Sequence, residues 1–124
     1  MTSEFFYDSY AIIEYFNGNV LFLNYFKDYN GFTSLYNIME VYYSVLREKG
    51  ETKADEILNT LKTIVVYPDL NYVKESMKFR LEHKNKKLSY TDCIGYIMAK
   101  KLKLKFLTGD EGFRNLPGVE FVKS

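Results

Sequence analysis

The run from Ser89 to Phe113 constrains the fold of this chain more than any other stretch. Ser89 suits a helix N-cap, and Asp92 falls three residues later, the spacing at which the two residues satisfy each other's backbone donors. Ile94, Ile97, Met98 and Leu102 follow at helical spacing and give that helix one apolar face. Leu104 to Thr108 then reads as a short buried strand, broken by Gly109-Asp110. Asp92 therefore stands at the entrance of a helix and Asp110 at the exit of the next strand. In an open α/β sheet, ligands bind just beyond the carboxyl ends of the strands, and both acids belong to segments that can lie there.

The rest of the chain alternates in the same way. Glu4 to Asp8 is a short aromatic strand that stops at an acid, and Ser9 to Phe16 continues with a helical pattern ended by Asn17-Gly18-Asn19. Val20 to Phe26 reads as a second short, heavily apolar helix, Asn30-Gly31 as a turn, and Phe32-Thr33 as a brief strand. Ser34 caps a long helix that Gly50 stops after Lys49, and Thr52, with Asp55 three residues on, caps another from Lys53 to Lys62. Thr63 to Tyr67 is a β-branched run closed by Pro68. Asn71 to His83 is helical, Asn85 to Lys87 a polar link, Asn115 to Gly118 a turn, and Val119 to Val122 a last strand.

Strands alternating with helices predict an α/β domain with a mostly parallel sheet flanked by helices. If the N-terminal strand is central and later strands are added on one side and then the other, the order is 3-2-1-4-5. The switch point then falls between the first and fourth strands and brings Asp8 and Asp110 to its lip.

Composition narrows the function. At 124 residues the chain is expected to be one domain, residues 1–124, and 47% hydrophobic residues exclude a disordered polymer. A net charge of +1 argues against a protein that coats nucleic acid by charge alone, so any attraction to a polyanion is local. A lone cysteine, Cys93, fits a reducing, cytoplasmic setting, where it fills a small core space. No apolar run reaches membrane-span length, and the N-terminus lacks the layout of a signal peptide. With one histidine, His83, a histidine zinc site or a Ser-His-Asp triad is not expected.

The acids carry the chemistry. Glu40 sits inside the apolar and aromatic helix SLYNIMEVYYSVL, on a facet with Tyr36, Asn37, Tyr43, Ser44 and Arg47, and needs solvent or a partner there. Taken singly, Asp8, Asp92 and Asp110 read as helix caps, Glu40 as a half-solvated side chain, and Ser9 and Thr108 as ordinary turn hydroxyls. The lysines at 84, 86 and 87 with Arg80 read as a solvated helix end.

Taken jointly, an early strand ending in Asp8-Ser9, a mid-chain helical Glu40, Ser89-x-x-Asp92, and Leu107-Thr108-x-Asp110-x-x-Phe113 resemble a PIN-domain ribonuclease, especially the VapC-type toxins of toxin–antitoxin pairs. The resemblance covers nearly the whole chain. It implies an acidic quartet of Asp8, Glu40, Asp92 and Asp110 that is catalytic and metal-binding, with Ser9 and Thr108 as supporting hydroxyls. It also implies RNA as substrate, cleavage to 5′-phosphate and 3′-hydroxyl ends, a homodimer, and a small antitoxin partner. Gly109 departs from the more varied residue expected between Thr108 and Asp110, and the segment from Asn17 to Thr33 is unusually aromatic.

Such a quartet calls for a cation. Two like charges about 4 Å apart repel by roughly 4 kcal/mol even at an effective dielectric near 20. Carboxylate oxygens suit Mg2+ or Mn2+ rather than zinc. The alternatives are a receiver-like phosphoacceptor domain, with Asp69 after the third strand, and a catalytically silent PIN-like interaction module. The segment Val20 to Phe26 is too apolar for one short helix to bury, which marks it as the expected dimer or antitoxin surface.

Overall fold

The computed structural model describes residues 4–123. Five parallel strands form one sheet in the order 3-2-1-4-5: β1 (Phe5–Tyr7), β2 (Gly31–Ser34), β3 (Val65–Val66), β4 (Lys105–Thr108) and β5 (Val119–Phe121). This is the expected order. β1 lies between β2 and β4, with Phe6 opposite Phe106 and Tyr7 opposite Leu107. Strands this short hold their register through what each face buries, because side chains alternate with a period of two.

That alternation builds two cores. Tyr7 and Leu107 point into one, with Ala11, Ile12 and Phe22, beneath α1 (Ser9–Phe16), α2 (Leu35–Lys49) and α3 (Glu51–Leu61). Phe6 and Phe106 point into the other, with Cys93, Ile97, Met98 and Phe113, beneath α4 (Leu70–Glu82) and α5 (Tyr90–Lys101). Stacked rings fill both: Tyr7 on Phe26 at 4.0 Å and Phe6 on Phe106 at 5.9 Å between centroids. Among the described residues no helix is long and apolar enough to cross a membrane.

Several local expectations are corrected. Gly31 does not turn the chain but begins β2 opposite Phe5. A Cβ there would lie 2.5 Å from the Phe5 carbonyl oxygen and 2.8 Å from the Tyr7 ring, so the strand pair closes only around glycine. The helix after Gly50 starts at Glu51, and Thr52 does not cap it. Gly50 has a φ of 92°, which reverses the chain within one residue, and Asp55 instead accepts the Tyr42 hydroxyl at 2.7 Å, tying α3 to α2. Val20–Tyr25 forms 3-10 turns opened by Asn19, whose side chain accepts from the Leu21 N–H. The tighter helix buries Phe22 and leaves Val20, Leu21 and Leu23 exposed. The strand read across Thr63–Tyr67 narrows to two paired residues at the sheet edge. The helix read from Asn71 starts at Leu70, with Asp69 as its cap.

Replacing Gly31 by Ala is expected to cost about 1–3 kcal/mol, the usual range for overfilling a packed site, with cooperative unfolding retained. Chemical denaturation of the two proteins checks this. Equal midpoints would mean that β1 and β2 do not approach as described.

Candidate active site

Four acids converge at the carboxyl end of the sheet from four separate segments. Asp8 follows β1, Glu40 lies in the second turn of α2, Asp92 in the first turn of α5, and Asp110 two residues past β4. The order 3-2-1-4-5 places the strand ends carrying Asp8 and Asp110 side by side, as the switch-point argument requires.

Asp8 is the buried member, 2% exposed. It stands at the N-cap position of α1, yet its side chain makes no capping bond there, which overturns the capping reading for this residue. Its Oδ2 accepts the Thr108 hydroxyl at 2.6 Å, and Asn37 Nδ2 approaches Oδ1 at 3.5 Å. Asn37 also donates to Ser9 Oγ at 3.0 Å, and Ser9 Oγ donates to Glu40 Oε1 at 2.8 Å. Ser34, the cap of α2, fixes Asn37 by donating to its Oδ1 at 2.6 Å. A continuous path therefore runs Thr108, Asp8, Asn37, Ser9, Glu40. From the sequence Asn37 was read only as a neighbour on the facet of Glu40 and was given no place in the site. The available signal was its place one helical turn before Glu40, combined with complete burial.

Asp92 and Asp110 are both caps and members of the cluster. Asp92 Oδ2 accepts the Ser89 N–H at 2.8 Å and Ser89 Oγ accepts the Asp92 N–H at 3.0 Å, the expected capping box. Asp110 Oδ1 accepts the Gly112 N–H at 2.9 Å, and Thr108 Oγ1 accepts the Asp110 N–H at 3.1 Å. Thr108 thus links the two acids on either side of the switch point. Gly109 is required by packing: a Cβ there would lie 2.3 Å from both the Tyr10 ring and the Val122 carbonyl oxygen.

The electrostatics are those of a cluster without a counter-charge. Burial pushes the Asp8 carboxyl up to about 8; the charge of Asp92 adds to this, the Thr108 and Ser9 donors oppose it, and Asp110 adds further. Burial also raises Asp92, its Ser89 donors oppose that, and Asp110 and Glu40 raise it again. Among the described residues no Lys or Arg pairs with any of the four. The adjacent Glu111 is the contrast: hydrogen bonds from Arg114 and Lys123 hold it down to about 2.

Among the described residues no three His, Cys, Asp or Glu side chains converge closely enough to enclose an ion. Each carboxylate keeps its own local hydrogen bond. The donor chemistry nonetheless fits a hard divalent cation, being all oxygen and uncompensated. Nitrogen and sulfur ligands are elsewhere: His83 stacks on Phe79 at the end of α4, and Cys93 is buried, its thiol pushed up to about 11 chiefly by that burial.

The comparisons agree with this fold. A family model of the PIN domain matches residues 5–119. The fold superposes on a chain of a toxin–antitoxin complex from Klebsiella pneumoniae with a TM-score of 0.74 and 22% identity, over 92% of this chain and 93% of that one. It superposes on Mycobacterium tuberculosis VapC20, a sarcin–ricin loop cleaving toxin, with a TM-score of 0.71 and 15% identity, over 94% of this chain and 98% of that one. A search among curated proteins by sequence finds no match.

The raised Asp8 carboxyl makes metal-free stability depend on pH with a definite sign. Between its ordinary value of 3.8 and about 8, the folded state keeps a proton that the unfolded chain has released. That contribution is complete below the ordinary value and is lost as pH rises towards the folded one. In EDTA the melting temperature is therefore expected to fall from about pH 5 to pH 8, and Asp8→Asn to flatten most of the fall. Thermal melts across that range check it, and an unchanged slope in the variant would count against it.

Proposed function

This chain belongs to the PIN-domain family, and on that premise we propose that it is a metal-dependent ribonuclease, the toxin of a toxin–antitoxin pair. The observation that carries the reading is the convergence of Asp8, Glu40, Asp92 and Asp110 into one coupled, uncompensated set. The two structural neighbours, one a chain of a toxin–antitoxin complex and one an RNA-cleaving toxin, support the toxin half by fold.

Asp8, Glu40, Asp92 and Asp110 would hold Mg2+ or Mn2+. When bound, the ion would make water a competent nucleophile at neutral pH and offset charge on the scissile phosphodiester. The chain's own residues do the positioning. Thr108 orients Asp8 through Oδ2 and turns its other face to the Asp110 N–H. Asn37 and Ser9 transmit the α2 cap to Glu40. The capping box holds Asp92, and the Gly112 N–H holds Asp110, so the carboxylates are preset without consuming a cation from the protein. Because proton and metal compete for Asp8, affinity for the ion rises as pH rises towards 8.

The receiver-like alternative is disfavoured by two observations. Flavodoxin-like receivers order their strands 2-1-3-4-5, and here the order is 3-2-1-4-5. Asp69, its phosphoacceptor candidate, caps α4 through the Tyr72 N–H instead. A silent module would not need four uncompensated acids in place.

The partners follow from exposed apolar surface. Val20, Leu21 and Leu23 project from the 3-10 turns, and an open groove of about 480 Å³ between α2 and α3 is lined by Leu35, Met39, Tyr43, Leu46 and Leu58 among others. Surface of this kind marks association, and we assign it to a second copy of the chain and to a small antitoxin. The setting is the cytoplasm, where the lone Cys93 stays reduced.

Asp110→Asn keeps the acceptor for Gly112 and removes one like charge. The metal-free variant is expected to be as stable as wild type or more so, while stabilisation by Mg2+ weakens and cleavage of a labelled RNA drops by more than about 100-fold. Thr108→Val, which leaves every carboxylate in place, is expected to lower cleavage by about 10–100-fold. Full cleavage by Asp110→Asn protein free of wild-type enzyme would refute the assignment of that residue.

A further inference from the structure

A second cavity opens beside the acids, between α2, α4 and α5. It has a volume of about 270 Å³ and is lined by Tyr36, Val73, Met77, Tyr90, Thr91 and Ile94. Tyr36 lies one helical turn before Glu40 on the same face of α2, and Tyr90 and Thr91 belong to the first turn of α5 that also carries Asp92. Tyr90 is 67% exposed and Tyr36 37%, so neither ring is consumed by the core. At the rim the Arg80 guanidinium sits 4.4 Å from the centre of the Tyr90 ring, and its Nε donates to the Leu88 carbonyl at 3.0 Å. That bond and the ring hold a cation at the edge of an otherwise apolar pocket.

Building on the ribonuclease reading, we propose that this cavity takes one unpaired nucleobase of the RNA next to the scissile phosphate, stacked against Tyr90 and Tyr36. Three physical arguments select that occupant. First, overall charge gives little pull on the substrate: the net charge is +1, and the site presents four acids to a polyanion. A stacking contact close to the reacting phosphate adds affinity that does not depend on charge, and aromatic faces supply one for any base. Second, the cavity is smaller than the roughly 300–1,000 Å³ of sites for drug-sized ligands, which suits a single planar ring system. Third, Arg80, held over the Tyr90 ring and by the Leu88 carbonyl, keeps a positive charge beside the cavity, which suits the backbone phosphate of a nucleotide whose base lies inside.

The test is a hairpin RNA carrying 2-aminopurine at each loop position in turn, whose fluorescence falls when the base stacks. Binding is measured in EDTA and again with Ca2+, and Mn2+ is added afterwards to follow cleavage. The expected result is quenching at one loop position by wild-type protein and by Tyr36→Phe and Tyr90→Phe. Tyr36→Ala and Tyr90→Ala are expected to lose it and to bind about 10-fold more weakly, with melting temperatures that report intact folding. Quenching that is absent, or equal in the alanine variants and wild type, overturns the proposal; this includes the case where the cavity instead receives a protein side chain. The two readings fail separately. Tyrosine-dependent quenching without cleavage on adding Mn2+ sinks the nuclease and keeps the base site, while cleavage that ignores both tyrosines sinks only the base site.

Discussion

The structure depends on a carboxyl group buried at the end of the central strand. Removing an ionised carboxylate from water costs far more than any single contact returns, so a protein either neutralises it or surrounds it with donors. At Asp8 the chain does both in part. Thr108, 100 residues away in sequence, donates to it at 2.6 Å, and Asn37 approaches from the other side. These contacts demand that β1 lie between β2 and β4, since Asn37 follows β2 and Thr108 ends β4. The topology and the electrostatics are therefore one constraint seen twice.

The same constraint explains where the chain leaves little room for a side chain. α5 can deliver Asp92 to the cluster only by lying close on the sheet, and Gly95, one turn later, permits it. A Cβ there would meet Phe6 at 3.2 Å, Phe106 at 3.3 Å and Asn37 Oδ1 at 3.4 Å. Gly109 likewise lets the end of β4 pass between Tyr10 and the Val122 carbonyl oxygen on its way to Asp110. The residue that seemed out of pattern in the sequence is set by contacts with α1 and the end of β5, which lie far from it in the chain.

What the sequence made legible was whatever repeats over several residues or is answered locally. The capping box of Ser89 and Asp92 and the stop at Gly50 are local, and each is found as read, whereas α5, read as apolar on one face down to Leu102, is buried on all sides from Cys93 to Ala99 and leaves Leu102 exposed. The strand order followed from alternation plus one assumption about β1. What could not be read were features decided across the fold. Gly31 looks like a turn beside Asn30, and only the approach of Phe5 and Tyr7 makes it a strand residue. Thr52 and Asp55 have capping spacing, but Gly50 begins the helix too early for them, and Asp55 is drawn to Tyr42 across the helix pair. Asn37 is an ordinary polar residue until burial places it between Asp8, Ser9 and Ser34.

Considered one residue at a time, a capping acid and a site acid look like competing explanations. In this fold they are compatible and, for two of the acids, the same arrangement. A cap fixes a carboxylate with backbone donors that are already part of the chain, so its direction is set without a cationic side chain that would cancel its charge. Asp92 and Asp110 are held in this way, and Glu40 is held by a hydroxyl. Glu111, one residue from Asp110, shows the other outcome: paired with Arg114 and Lys123, it is already neutralised by the protein's own side chains. Neutral donors keep charge available, whereas ion pairs spend it. What sets the cluster at the end of β1 apart is that acids held in this way also lie near enough to act on one another, Asp92 and Asp110 on Asp8 and Asp110 and Glu40 on Asp92.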